Sequence, residues 1–335
     1  RLRFHMSPRP QFAGIDVSKD SLHVHIAQHL MDNDGPFRVF SFDHKGLSLL
    51  KAWLLEHHVQ HTVFEASGGY ENTLRDFLLE HHLPCTRLQP ERARAFAIGI
   101  DAIEKTDKLD ARVLARMACV RTQHKEVLRS ETQRELVTLM DFRLQLREDI
   151  TRLKTQRQKQ TNAWIKETQD ERIRDLEVRR DALDKRIQTL VDGDQEMSAL
   201  CELMCQLKGV SCVTAWSLLA YLPELGELSK REIAKLVGVA PMARESGDFT
   251  GKRRCARGRG KVKACLWMAS LSVATHEEPF KQFYQRLKEK GKPASVARVA
   301  VCRKLLTALN AIARDREAYK PELLLPRPGS LEKVS

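Results

Sequence analysis

Four acidic residues could share one hard-cation site: Asp16 in GIDVSKD, Glu65 in TVFEASGGY, and Asp107 with Asp110 in KTDKLDA. Each lies at the edge of an apolar run, where an ionised carboxylate needs a cation or a polar partner to offset its burial. Carboxylate oxygens suit Mg²⁺, with Mn²⁺ as the alternative. Two such ions about 4 Å apart can stabilise the attacking and leaving oxygens of an in-line displacement at phosphorus. Asp107 and Asp110 are i, i+3 neighbours, so a helix starting near Thr106 presents both on one face. Read locally, Asp107 or Thr106 is a helix N-cap and Asp110 a favourable first-turn acid.

A second stretch with chemical potential is LVGVAPMARESGDFTGKRRCARGRGKVKACLWMASLSVA. Ser246 falls in a polar, Gly-flanked turn after an apolar run, which puts its hydroxyl on an exposed loop. Residues 252–263 then hold Lys252, Arg253, Arg254, Arg257, Arg259, Lys261 and Lys263 and no acid. Cations interleaved with glycine can approach a sugar-phosphate backbone closely; the plain alternative is a solvated basic loop. The chain of 335 residues carries a net charge of +13 and no long apolar stretch, which favours nucleic acid over a membrane as partner. Its eight cysteines show neither a CxxC pair nor zinc-type Cys/His spacing, as expected of reduced thiols in a cytosolic protein. Cys201 and Cys205 have the i, i+4 spacing of one helix face, for which core packing is the expectation.

Several elements must position these groups. Apolar residues predict a strand from Phe12 to Val17, and Leu22, Val24 and Ile26 alternate as in a half-buried second strand. A third strand spans 37–42, followed by a helix carrying Leu47, Leu49, Leu50, Trp53 and Leu54. A strand at 62–65, a Gly68-Gly69 turn, a helix to Glu80 and a strand at 85–88 complete the set. Three strands followed by alternating helix and strand is the order of an α/β ribonuclease-H-like fold, in which the acids occupy the first strand, the fourth strand and a closing helix.

From 131 to 192 the chain turns charged and proline-free, with Leu136, Leu139, Arg143, Leu146, Ile150, Leu153 and Arg157 at spacings of three and four. Ile173, Leu176, Arg180, Leu183, Ile187 and Leu190 repeat the pattern. Two long helices are predicted, broken between Gln160 and Asp170, pairing within the chain or, in the preferred reading, between chains as a dimerisation arm. Beyond Met197, LKGVSCVTAWSLLAYL reads as a turn between two apolar helices, half of a helix-hairpin-helix element or a plain helical hairpin. Further helices are expected at 261–275 and 295–312, with a loop through Glu278 and Pro279.

These blocks together resemble the DEDD insertion-sequence transposases of the Piv and MooV type, the bridge-RNA-guided recombinases. GID at 14–16, FEASGGY at 64–70, KTDKLDAR at 105–112, GVAP with ESG at 238–247 and LWMASLSVA at 266–274 carry the likeness over nearly all of 12–315. The resemblance implies a RuvC-like domain at 12–125 whose Asp16, Glu65, Asp107 and Asp110 hold Mg²⁺. It also implies a helical coiled-coil or dimerisation segment at 126–196 and a mainly α transposase domain at 197–318, in which Ser246 attacks DNA to form a phosphoserine link. Residues 1–11, with RLRFH before Met6 and no signal-peptide apolar region, are expected as a flexible extension, and 319–335 as a flexible tail. The implied partners are double-stranded DNA as donor and target, a structured guide RNA, and further copies in a dimer or tetramer, in the cytoplasm and associated with the nucleoid. The chain departs from the family where ARGRGKVKA replaces a Ser-Lys-x-Gly block, and where Arg244 stands at an often aromatic position. Competing expectations are a RuvC-like structure-selective endonuclease, in which Ser246 is only a loop residue, and a non-catalytic nucleic-acid-binding protein.

Overall fold

A computed structural model describes residues 10–102, 106–120, 126–246, 249–255 and 258–320, and over 242–254 it describes the backbone alone. The expected flexible extension and tail fall mostly outside these residues, as does Arg257. The chain divides into two compact units, residues 1–128 and 129–335. No helix among the described residues is long and apolar enough to cross a membrane.

The first unit is built on a five-stranded mixed sheet of order β3-β2-β1-β4-β5, comprising β1 (Gln11–Val17), β2 (Ser21–Ala27), β3 (Phe37–Ser41), β4 (Val59–Glu65) and β5 (Cys85–Leu88). β1 pairs antiparallel with β2 and parallel with β4, so it lies at the centre. Alternation along the strands divides their side chains between two faces. Ala13, Ile15, Val17, Leu22, Val24, Ile26 and Phe64 join one core with α1 (His44–Glu56) and α2 (Glu71–Glu80). Gly14, Asp16, His23, His25, Val63 and Glu65 belong to the other face by the same alternation. There α4 (Asp107–Val120) covers the sheet, and Leu114, Met117 and Ala118 join Val63, Leu88 and Ala93 of α3 (Pro90–Gly99) in a second core.

Gly14 decides how closely α4 approaches. A Cβ built there would lie 2.1 Å from the Ala111 carbonyl oxygen and 2.2 Å from the Ala115 nitrogen, so any side chain would push the helix off the sheet. Arg116 of α4 ties it to the strand periphery through the Leu30 carbonyl and, at 3.1 Å, the Asn33 side chain. His25 is buried on this face, with neither ring nitrogen hydrogen-bonded. Burial, with Arg112, Lys108 and Arg116 nearby, pushes its pKa down from 6.5 to about 4, although Asp32 acts the other way. The unfolded chain therefore binds this proton more readily, and His25 stabilises the fold fully above pH 6.5 and progressively less as pH falls towards 4. The loss across that window is expected to reach about 3 kcal/mol. Urea unfolding of the wild type and His25→Gln between pH 7 and pH 4 tests this; parallel pH profiles would exclude His25 as the cause.

The second unit is almost wholly helical. α5 (Glu131–Lys159) and α6 (Ala163–Asp192) form an antiparallel hairpin within the chain, broken at 160–162. Two of the three arginines that interrupt the apolar spacing bridge the two helices, while Arg180 pairs with Asp181 on its own helix. Arg143 donates to both Asp184 oxygens at 2.6 and 3.0 Å, and Arg157 donates to both of Asp170 at 2.5 and 2.8 Å. These are fork-on-carboxylate pairs, which set register as well as charge complementarity. Ile150, Leu153 and Ile173 make a small separate core along the hairpin.

At its base, α7 (Gln195–Cys205), α8 (Cys212–Tyr221), α9 (Lys230–Val237), α10 (Gly260–His276), α11 (Glu278–Glu289) and α12 (Ala294–Asp315) enclose the main core of the unit. α3, α9 and α11 were not expected from the sequence. The anticipated loop at Glu278 and Pro279 is instead the first turn of α11, where proline's missing N–H has no helical partner to lose. The stretch read as an exposed Ser246 loop followed by a basic run is also ordered differently. β6 (Met242–Ser246) and β7 (Phe249–Arg254) form a two-stranded antiparallel sheet, and α10 begins at Gly260.

Candidate active site

The four acids come from three elements. Asp16 sits near the end of β1, with Ile15 paired to Phe64, so Glu65 closes β4 beside it on the same face. α4 brings the others: Thr106 caps it by accepting from the Leu109 nitrogen at 3.3 Å, and Asp107 and Asp110 occupy the first turn. The capping role and the acid pair therefore coexist, since the cap is Thr106 and both carboxylates remain beyond it. Burial raises the Asp16 pKa above its ordinary 3.8, and the negative charges of Asp107 and Asp110 raise it further. His23 and the Val17 amide oppose the shift. Mutual repulsion strong enough to affect Asp16 is what a shared cation site produces before the ion is counted.

The strands and α4 thus bring Asp16, Asp107 and Asp110 within electrostatic reach, while Glu65 is placed by strand register. No three of the four bring carboxylate oxygens within 4.8 Å of one another. Asp107 is exposed and the other three half-buried, so the site opens to solvent.

His23 was not singled out from the sequence. It pairs with Asp16 across β1 and β2, and its Nδ1 lies 3.6 Å from an Asp107 oxygen, within ion-pair range but beyond a hydrogen bond. That nitrogen is buried without a hydrogen-bond partner, as is the Ser67 hydroxyl two residues after Glu65. The signal was present in the sequence, because His23 and His25 alternate with Leu22, Val24 and Ile26 and must take the opposite face. Glu71 was likewise missed. Its buried carboxylate accepts from the Ser67 and Gly69 amides at 3.1 and 2.8 Å and lies 3.5 Å from Arg87, which holds the turn after Glu65.

In the second unit, Ser246 is the last residue of β6, opposite Phe249. Its backbone therefore ends a strand rather than sitting within an irregular loop; its side chain is outside the described residues. Lys252, Arg253 and Arg254 lie on β7, also with side chains outside the description. Arg259 precedes α10 and is engaged inside the unit, forming two hydrogen bonds to the buried Glu224 carboxylate and one of 2.9 Å to the Tyr221 carbonyl. Lys261 pairs with Asp141 at 2.5 Å and lies 4.8 Å from the centre of the Tyr221 ring. The basic stretch thus holds two cations that join helices of the unit, which its acid-free sequence did not suggest.

Comparison with known proteins finds two family patterns along the chain. The pattern of the DEDD transposases of the IS110 group matches residues 13–162, and that of the transposase IS116/IS110/IS902 family matches residues 201–285. The chain is thus of the transposase class, an enzyme acting on DNA. In particular, it belongs to the IS110 family of DEDD transposases. Among its relatives are the pilin gene-inverting proteins of Moraxella lacunata and Moraxella bovis. Each is 25% identical over 316 residues, covering 92% of this chain and 97% of the relative. An insertion element IS900 42 kDa protein of Mycobacterium paratuberculosis is 33% identical over 95 residues, 28% of this chain and 24% of that protein.

Proposed function

We propose that this transposase is a site-specific DNA recombinase in which Asp16, Glu65, Asp107 and Asp110 hold divalent cations and Ser246 forms a transient covalent link to DNA. The observation that carries the metal half is the setting of Asp16, half-buried and raised in pKa under the charges of Asp107 and Asp110. The donor set suits the ion: carboxylate oxygens favour Mg²⁺ or Mn²⁺, and the buried His23 nitrogen and Ser67 hydroxyl, neither of them hydrogen-bonded, add polar atoms around them. When bound, Mg²⁺ supplies Lewis-acid stabilisation of charge on the phosphoryl oxygens. The sheet order, with central β1 antiparallel to β2 and parallel to β4, supports a ribonuclease-H-like, RuvC-like fold for the first unit.

The serine half rests on the family pattern over 201–285, which includes Ser246. In the proposed step, Oγ of Ser246 forms a bond to phosphorus as the strand's P–O bond breaks. The serine proton passes to a base, and the departing strand oxygen takes up a proton. A later strand hydroxyl reverses the reaction on a new partner, so phosphodiester energy is conserved without ATP. The two full-length gene-inverting relatives support strand exchange over simple hydrolysis. The same reading includes double-stranded donor and target DNA, a structured guide RNA and a homodimer or tetramer in which the acids of one copy serve the serine of another.

Nucleic-acid affinity is proposed to come from Lys252, Arg253, Arg254 and Lys263 together with Arg257, with Arg259 and Lys261 acting mainly within the fold. Alanine at Arg253 and Arg254 is expected to lower the slope of log affinity against log salt by roughly one for each phosphate no longer neutralised. Arg259→Ala is expected instead to destabilise the unit by about 3–5 kcal/mol, because the buried Glu224 carboxylate and the Tyr221 carbonyl would lose the three hydrogen bonds that Arg259 donates. Salt-dependent DNA binding and urea unfolding separate the two effects; an unchanged slope for the double variant would make β7 a solvated surface. The function is tested by incubating the protein, its co-purified RNA and DNA carrying candidate element ends with Mg²⁺, then quenching in detergent. A protein-DNA adduct with recombinant product supports the recombinase. Nicking with neither supports a structure-selective endonuclease, and salt-sensitive binding alone supports a non-catalytic binder.

A further inference from the structure

Three thiols of the second unit converge at the junction of two helices. Cys201 and Cys205 lie one turn apart on α7, and Cys212 is the first residue of α8, beyond the turn at 206–211. Their sulfurs all lie within 4.8 Å of one another, with Cys205 and Cys212 3.8 Å apart. Among the described residues no other trio of His, Cys, Asp or Glu donors is drawn so close. Core packing accounts for Cys201, which is buried in the main apolar cluster. It does not account for Cys212, which is exposed, or for a row of thiols leading from the core to solvent through half-buried Cys205.

The spacing has a chemical meaning. Sulfurs placed about 2.3 Å from a tetrahedral ion are about 3.8 Å from one another, whereas a disulfide brings them to about 2.05 Å. Thiolates select soft or borderline cations, and the carboxylates of the first unit select hard ones, so the two sites would not compete for the same metal. We propose that Cys201, Cys205 and Cys212 bind one thiophilic divalent cation of the Zn²⁺ class, with a fourth position open to water. The ion fastens the end of α7 to the start of α8. It thereby holds the intervening turn, where Gly209 packs so tightly on α10 that a Cβ built there would lie 2.6 Å from the Val273 nitrogen.

The test uses the full chain, reduced and stripped of metal with a chelator, and Co²⁺ as the probe. One equivalent of Co²⁺ should bind with a sulfur-to-cobalt charge-transfer band and tetrahedral visible bands, and Zn²⁺ should abolish both. Cys212→Ser should lose the charge-transfer intensity and weaken Zn²⁺ binding at least about tenfold, a loss that removal of even a supporting partner can produce. Because Cys212 is exposed, this variant should keep the wild-type circular dichroism and its Mn²⁺ binding at the acids. The proposal is overturned if the wild type gives no thiolate band, if Cys212→Ser binds Zn²⁺ as tightly as the wild type, or if mass mapping of the reduced-buffer protein finds Cys205 and Cys212 joined as a disulfide.

Discussion

Asp16→Asn is expected to abolish strand cleavage while making the metal-free protein more stable at neutral pH. Both effects have the same cause. Asp16 is raised in pKa by burial and by the charges of Asp107 and Asp110, so ionising it opposes folding. For a carboxyl raised in the folded state, its contribution to stability is fully present below the unfolded value of 3.8 and is lost as pH rises through the folded value. Removing the charge should therefore raise Tm at pH 7 in chelator, with the advantage vanishing in acid, where the wild-type carboxyl is already neutral. Saturating Mn²⁺ should reverse the order, because an ion that binds only the native wild type stabilises it by mass action. Asp107→Asn and Asp110→Asn should also abolish cleavage but leave metal-free stability nearly unchanged. Relief of repulsion there is offset by the loss of about 0.3–1 kcal/mol of favourable interaction with the α4 dipole. Glu65→Gln should abolish cleavage as well. Thermal melts with chelator or Mn²⁺ at pH 7 and pH 4, beside a cleavage assay on labelled DNA, measure both halves. An Asp16→Asn protein that is less stable than the wild type in chelator would mean that the acids do not repel one another in the folded chain.

Ser246→Ala is the second change with a large expected effect: no covalent adduct and no recombinant product, with DNA and Mn²⁺ binding unchanged. The backbone of Ser246 ends β6 in register with Phe249, so a side chain lacking only Oγ leaves the strand pairing intact. The loss should thus be chemical rather than structural. A serine that acts as nucleophile has no substitute in alanine, and the rate should fall by at least about 10⁴-fold, more than 5 kcal/mol of barrier. Denaturing gels of protein incubated with labelled DNA measure the adduct, and salt-dependent binding provides the control. Wild-type levels of adduct from the alanine variant would take Ser246 out of the mechanism and restore the endonuclease reading.

Much of the framework was legible in the residues. The alternation of Leu22, Val24 and Ile26 marked β2, the apolar stretches marked β1 and β5, and the spacings of three and four marked α5 and α6, with the break between them placed only within 160–170. Strong local periodicity made these visible. α3 and α11 were hidden because each opens with a proline, Pro90 or Pro279, that reads as a breaker when its position in the first turn is unknown. β6 and β7 were hidden because a glycine- and arginine-rich stretch lacks the apolar alternation of a half-buried strand.

Residue types and their order were enough to mark the four acids, Ser246 and the basic character of the chain, because carboxylate, hydroxyl and charge are properties of single residues. Which of these groups meet depends on pairings between distant segments. Strand order sets Asp16 against His23 and places Glu65 alongside, and Gly14 lets α4 deliver Asp107 and Asp110 to that face. The same kind of long-range pairing commits Arg259 to Glu224, whereas the short turn between α7 and α8 folds Cys212 back onto the thiols of α7. A hydrophobic pattern records which side of an element is buried; only packing selects the neighbour that buries it.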